Sequence, residues 1–135
     1  MNDKQTSIKL KLAKARFLMA EVNILMQHHF YITAINRLYY SCFHATKALL
    51  LTKDLTPKTH SGVVSMLHQH FVQIDSFDSE QASFFSRLMQ ERIEDDYSDF
   101  TTVDEAAVKE FIEPARKYIA YIEQLIKNSL SNNPD

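Results

Sequence analysis

Glycine is almost missing: Gly62 is the one glycine among 135 residues, where average usage of about 7% would supply about nine. Tight hairpins need glycine, and the P-loop and the dinucleotide fingerprint each need two or more at fixed spacing, so glycine-rich nucleotide loops and most all-β folds are excluded. Cysteine is as scarce. Cys42 stands alone, which excludes an internal disulfide and a multi-thiolate zinc site and suits a reducing compartment. No apolar run approaches the roughly 18 residues of a membrane span. The opening residues, Met1 to Gln5, lead into a stretch broken by lysines rather than a signal peptide's apolar core. A cytoplasmic protein without membrane attachment is expected. Charge of one sign is also lacking: fifteen Lys+Arg face seventeen Asp+Glu, a net charge of −2. A basic coat for nucleic acid is absent, which leaves only a local patch of Arg, Lys and His. No glutamate is followed three residues later by histidine, so the ridge that di-metal helical proteins require is missing, and neither metal nor cofactor is expected.

What the chain does have is helical periodicity. Ile8, Leu12, Ala15, Leu18, Met19, Val22, Leu25 and Met26 recur at spacings of three and four and predict a first helix over about Lys4 to His28. Ile35, Leu38, Tyr39, Cys42, Thr46, Leu49 and Leu50 predict a second over Tyr31 to Thr52, ending before Pro57. Thr59 is placed to cap a short helix over His60 to Gln73, with Val63, Val64, Leu67 and Phe71 inward. Ser79 is placed to cap a fourth, to about Tyr97, and a fifth is expected over Val103 to Leu130 with Pro114 inside it. The expected fold is all-α: an up-and-down bundle of four long helices and one short one. One domain over residues 5–130 and a disordered tail over 131–135 complete the outline.

The second helix carries more than a core stripe. Arg37 and His44 are seven residues apart and so nearly in register, on a side shared with Tyr40, Ala48 and Leu51. A side this apolar is unsuited to water, and a homodimer contact through Tyr40, His44, Ala48 and Leu51 is expected. Arginine and histidine on one ridge suit a phosphodiester: histidine moves a proton near neutral pH, and arginine stabilises phosphate charge without losing its own proton. The plainer alternative is that Arg37 pairs with a carboxylate and His44 with a backbone carbonyl. Lys58 and His60 flank Thr59 at a helix N-terminus, where free backbone N–H groups favour an anion. Capping alone is the other reading there.

The segment Ala34 to Leu50, with Arg37, Tyr39, Tyr40, Phe43, His44 and Ala45, resembles the signature helix of HEPN domains of the small stand-alone prokaryotic branch. Lys58-Thr59-His60-Ser61-Gly62 is similar to the segment that opens the next helix in that branch, and Arg92-Ile93-Glu94-Asp95-Asp96-Tyr97 is similar to its Arg-x-x-x-Asp-Tyr motif. The likeness runs over about residues 5 to 127. It implies a five-helix bundle that often dimerises, in a family where several members are metal-independent ribonucleases, frequently toxins paired with a minimal nucleotidyltransferase antitoxin. On that resemblance Arg37 and His44 are the catalytic candidates, with Arg92 and Tyr97 next, since the family's toxins carry their catalytic pair on a later helix. Asp96 stands there in this chain where those toxins have histidine, and it is spaced to pair with Arg92. Lys58, Thr59, His60 and Arg92 are candidates for holding a nucleotide or RNA phosphate. The alternative function is a non-catalytic helical module for dimerisation, interaction or nucleotide binding.

Overall fold

A computed structural model describes residues 2–92 and 103–132. The described residues are all-α, with five α-helices among them: α1 (Asp3–Gln27), α2 (Tyr31–Leu51), α3 (His60–Leu67), α4 (Ser79–Glu91) and α5 (Glu105–Asn132). Asn2 starts α1 by accepting from the Gln5 N–H at 2.7 Å, and Thr59 starts α3 by accepting from the Gly62 N–H at 2.9 Å.

Helix ends usually turn through a left-handed residue, most often glycine. With its single glycine used elsewhere, this chain turns at His29, Asp54 and Asp75, with φ of 61°, 61° and 63°. Each turn is closed by a backbone bond one residue further on, from Phe30 to Leu25, Leu55 to Leu50 and Ser76 to Phe71, at 2.9, 3.1 and 2.8 Å. Histidine and aspartate are among the side chains that tolerate this conformation best.

Helix α2 lies at the centre, packed along α1 and against α5, with α3 and α4 crossing it. Its second apolar side meets α1. Ser41 Oγ donates to the Ala15 carbonyl at 2.7 Å, and Arg37 Nε stands 3.0 Å from Glu21 Oε1, so α1 runs antiparallel along the Arg37, Ser41, Ala45 and Ala48 side. Alanines there allow close approach, and Ala45 and Ala48 are fully covered. The core also holds one polar relay: Thr46 Oγ1 donates to the Cys42 carbonyl at 2.7 Å and meets Tyr118 Oη at 2.7 Å. Cys42 is buried, and burial pushes its thiol well above the usual range.

Several helix boundaries differ from the periodicity. The short third helix does not continue evenly to Gln73: α3 stops at Leu67, and His68–Val72 forms a π-helical turn closed by Gln73 N–H to His68 O at 2.9 Å. Lys53 Nζ takes the His70 carbonyl at 2.6 Å and sits 4.2 Å from the Phe71 ring centre. The cap of α4 is Asp78, which accepts from the Gln81 N–H at 3.3 Å, rather than Ser79. That helix also ends at Glu91, with Arg92 in extended backbone at φ −67° and ψ 146°. The start of α5 is fixed by Asp104, whose carboxylate accepts from the Ala107 N–H at 2.9 Å, and α5 runs two residues past Leu130, to Asn132.

Candidate functional site

Three separate stretches of the chain meet around Tyr39. The α2 side chain Tyr39 is fully buried, stacked parallel on Phe85 of α4 with ring centres 5.9 Å apart. Its Oη lies 2.7 Å from Nδ1 of His60, the first residue of α3. Over the same ring sits the Arg92 guanidinium, 5.2 Å from the centre. Arg92 reaches this position because α4 ends just before it and the backbone turns extended.

Burial pushes the phenol's ionisation up and outweighs the opposing effect of the Arg92 guanidinium, so Tyr39 keeps its proton at neutral pH. A protonated phenol donates to Nδ1, which leaves Nε2 of a neutral His60 carrying hydrogen. The imidazole is itself kept neutral: burial first, then the positive charges of Arg92 and Lys47, lower its pKa. One side of His60 packs on Phe43, with ring centres 4.8 Å apart, and Tyr40 lies edge-on at 5.8 Å.

The same two aromatic rings connect His60 to His44. Phe43 and Tyr40 lie 5.5 and 6.4 Å from the His44 ring. His44 is half-buried, and its pKa falls to about 4 through burial and then the ammonium groups of Lys14, Lys47 and Lys11. Lys47 Nζ stands 5.4 Å from the Phe43 ring centre and acts on both histidines. Among the described residues, no carboxylate contributes to the shift of either imidazole. The result is a strip of aromatic rings edged by Lys47, His44, His60 and Arg92, suited to an anion and a flat ring.

Arg37 stands apart from this strip. Two helical turns, about 10.5 Å of rise, separate it from His44, and it is engaged with Glu21 of α1, in contact but off the Nε–H axis. Ala48, expected at a subunit contact, has no exposed surface because α1 lies over that side; Tyr40, His44 and Leu51 are half-buried at its border. Lys58 and Thr59 are exposed beside His60, with the Thr59 hydroxyl spent on its cap. Asp96 and Tyr97 lie outside the described residues. Sequence reasoning named Phe43 only as a motif residue and gave Lys47 no role; the available signal was spacing, since Lys47 follows His44 by three residues and Tyr40 by seven. Among the described residues, no three His, Cys, Asp or Glu side chains gather closely enough for a metal ion, and no helix is long and apolar enough to cross a membrane.

Comparison with known proteins agrees with this architecture. A chain titled TT1696 from Thermus thermophilus superposes with a TM-score of 0.73, covering 87% of this chain and 97% of its own at 18% identity, a likeness of fold. A UPF0332 protein of Thermotoga maritima is 31% identical over 128 residues, 95% of this chain and 97% of its own length. A Methanocaldococcus jannaschii protein named "Putative toxin" is 31% identical over 112 residues, 83% of each chain. A second of that name is 40% identical over 73 residues, 54% of this chain and 50% of its own. The family model described as HEPN domain matches residues 8–125, and with it the chain belongs to the HEPN domain family.

Proposed function

We propose that this protein is a nucleotide- or RNA-associated HEPN protein of the toxin–antitoxin kind, acting in the cytoplasm with a minimal nucleotidyltransferase as its partner. The observation that carries the RNA reading is the strip itself: Lys47, His44, His60 and Arg92 around Tyr40 and Phe43, with no carboxylate among the described residues shifting either imidazole. A phosphate binds the cations, and a base packs against the half-buried rings of Tyr40 and Phe43. Two relatives named "Putative toxin" support the toxin side of the reading.

The activity proposed is metal-independent cleavage of RNA. The neutral His44 imidazole takes the proton of a 2′-hydroxyl, the oxygen attacks the adjacent phosphorus, and the imidazolium returns that proton to the departing 5′-oxygen, giving a cyclic phosphate and a 5′-hydroxyl. Arg92 and Lys47 offset the charge that builds on the phosphate. The test is cleavage of a single-stranded RNA in chelator by the wild type and by His44→Ala, His60→Ala, Arg92→Ala and Arg37→Ala. Loss with His60→Ala and Arg92→Ala, with helical content kept, supports the reading; cleavage that tracks Arg37 and His44 alone moves the chemistry to the α2 ridge.

One observation favours a second reading, a binding or interaction module without catalysis. Arg37 is held by Glu21 and the pair on α2 is split by two turns. RNA or nucleotide that binds to the wild type, weakens with Arg92→Ala and is never cleaved selects it.

A further inference from the structure

A cavity of about 260 Å³ opens where the end of α2, the π-helical turn and the second half of α5 come together. Leu49, Phe71, Ile74 and Leu125 form its walls, and Lys53 stands among them. It shares no residue with the strip around Tyr39, and along α2 Leu49 is already five residues, about 7.5 Å of rise, beyond His44. The same lysine joins the cavity to the π-helical turn. Lys53 Nζ donates to the His70 carbonyl at 2.6 Å and stands 4.2 Å from the centre of the Phe71 ring. Turns of this kind are rare and concentrate at functional sites. Ile74 lines the cavity and is nevertheless 60% exposed, a large apolar side chain at the mouth that an occupant would cover.

The polar groups on the wall decide which occupant fits. The hydroxyls of Thr52 and Ser76 have spent their protons on the carbonyls of Leu49 and Phe71, at 2.6 and 3.1 Å. An ammonium has three N–H groups. Lys53 gives one to His70 and makes no ion pair among the described residues, and the Ser129 hydroxyl adds a further donor to the wall. Donors with no negative charge opposite them favour an anion, while the walls favour hydrocarbon. At roughly 30 Å³ for each water-sized group, the volume holds about nine non-hydrogen atoms, too few for a nucleotide and enough for a short alkyl chain with a charged head. We infer that this cavity binds a small aliphatic monocarboxylate, its chain among Leu49, Phe71, Ile74 and Leu125 and its head on the Lys53 ammonium. The head then shares that ammonium with the His70 carbonyl, so the ligand also fastens the π-helical turn to the end of α2.

The experiment titrates octanoate into the protein without RNA and follows the methyl resonances of Leu49, Ile74 and Leu125 by NMR, with circular dichroism for each variant. Saturable shifts with a Kd below about 1 mM are expected, together with slower amide exchange at Gln73, whose N–H closes the π-helical turn. Octanol has the chain without the charge and should bind about tenfold more weakly. The same loss is expected for octanoate with Lys53→Met, which keeps a stem over the Phe71 ring, and Lys53→Arg should restore the affinity. Ile74→Ser should weaken octanoate and octanol alike. Octanol that binds as tightly as octanoate, or octanoate indifferent to Lys53→Met, would make the cavity a purely apolar one and overturn the inference. Shifts at His60 and Tyr40 in place of the cavity methyls would give the carboxylate to the strip, and no shift up to about 5 mM would leave the cavity without this ligand; either overturns it as well.

Discussion

Tyr39 Oη lies 2.7 Å from His60 Nδ1, so a buried phenol on α2 sets the tautomer of an imidazole at the start of α3. Tyr39→Phe keeps the stack on Phe85 and the ring under Arg92 and removes only that bond. Stability should fall by about 1 kcal/mol in urea unfolding. The pKa of His60 should rise, because a donor to Nδ1 favours the neutral ring. Titration of the imidazole by NMR reads this directly, and an unchanged midpoint would show the bond to be without consequence for the site.

His44 gives the protein an acid sensitivity. Its folded pKa of about 4 lies below the ordinary value of 6.5, so between those two values the unfolded chain takes up a proton that the folded chain refuses. Stability is therefore unaffected by this group above pH 6.5, declines as the pH falls toward 4, and declines no further below that. His44→Gln should flatten that part of the profile. A polyanion seated against Lys11, Lys14 and Lys47 should reverse the shift, raising the His44 midpoint in an NMR titration with RNA.

In the core, Thr46 Oγ1 donates to the Cys42 carbonyl, so Tyr118 must be the donor in its 2.7 Å contact with Thr46. Tyr118→Phe removes a donor while the Thr46 hydroxyl keeps its bond to the Cys42 carbonyl, and should cost about 1 kcal/mol. Thr46→Val strands the Tyr118 hydroxyl, which is fully buried, and should cost about 1–3 kcal/mol. Thermal unfolding of both, and of the double variant, checks the order. Equal losses would mean that Tyr118 finds another partner.

Gly62 is kept for closeness rather than for an unusual backbone. A Cβ built there would come within 2.8 Å of Thr59 Oγ1 and 3.3 Å of Pro57 Cβ, so Gly62→Ala must push the capping hydroxyl aside. Thr59→Ala alone should cost about 1 kcal/mol. Gly62→Ala should cost at least as much and shift the His60 resonance, since His60 sits between the two. A variant as stable as the wild type would show that the cap can move freely.

The bundle was legible because the inward stripes of α1, α2 and α5 repeat over several turns, and a repeat of that length survives any local disturbance. The π-helical turn was not, because it depends on Lys53 arriving from the end of α2 to take the His70 carbonyl. Asp78 and Ser79 are both good caps on adjacent positions, and the backbone N–H of Asp78, anchored 2.8 Å from Tyr121 Oη, belongs to a contact 43 residues away. At the site, His60 and Arg92 were visible as motif residues, whereas their meeting over Tyr39 is tertiary. The second apolar side of α2 was legible in the sequence, but it was given to a homodimer contact, because the sequence could not distinguish α1 from a second subunit as the cover.

The three left-handed turns leave this protein with unclaimed stability. A side chain at φ near 60° costs roughly 1 kcal/mol that glycine would not, partly offset by glycine's greater freedom in the unfolded chain. At two of the turns the side chain is employed: His29 Nδ1 meets Tyr31 Oη at 2.6 Å, and Asp54 pairs with Lys4 at 3.1 Å. Asp75, at φ 63°, has no ion pair among the described residues. The turn after the π-helical segment is thus the place where the fold can be tightened without disturbing the strip of rings and cations around Tyr39.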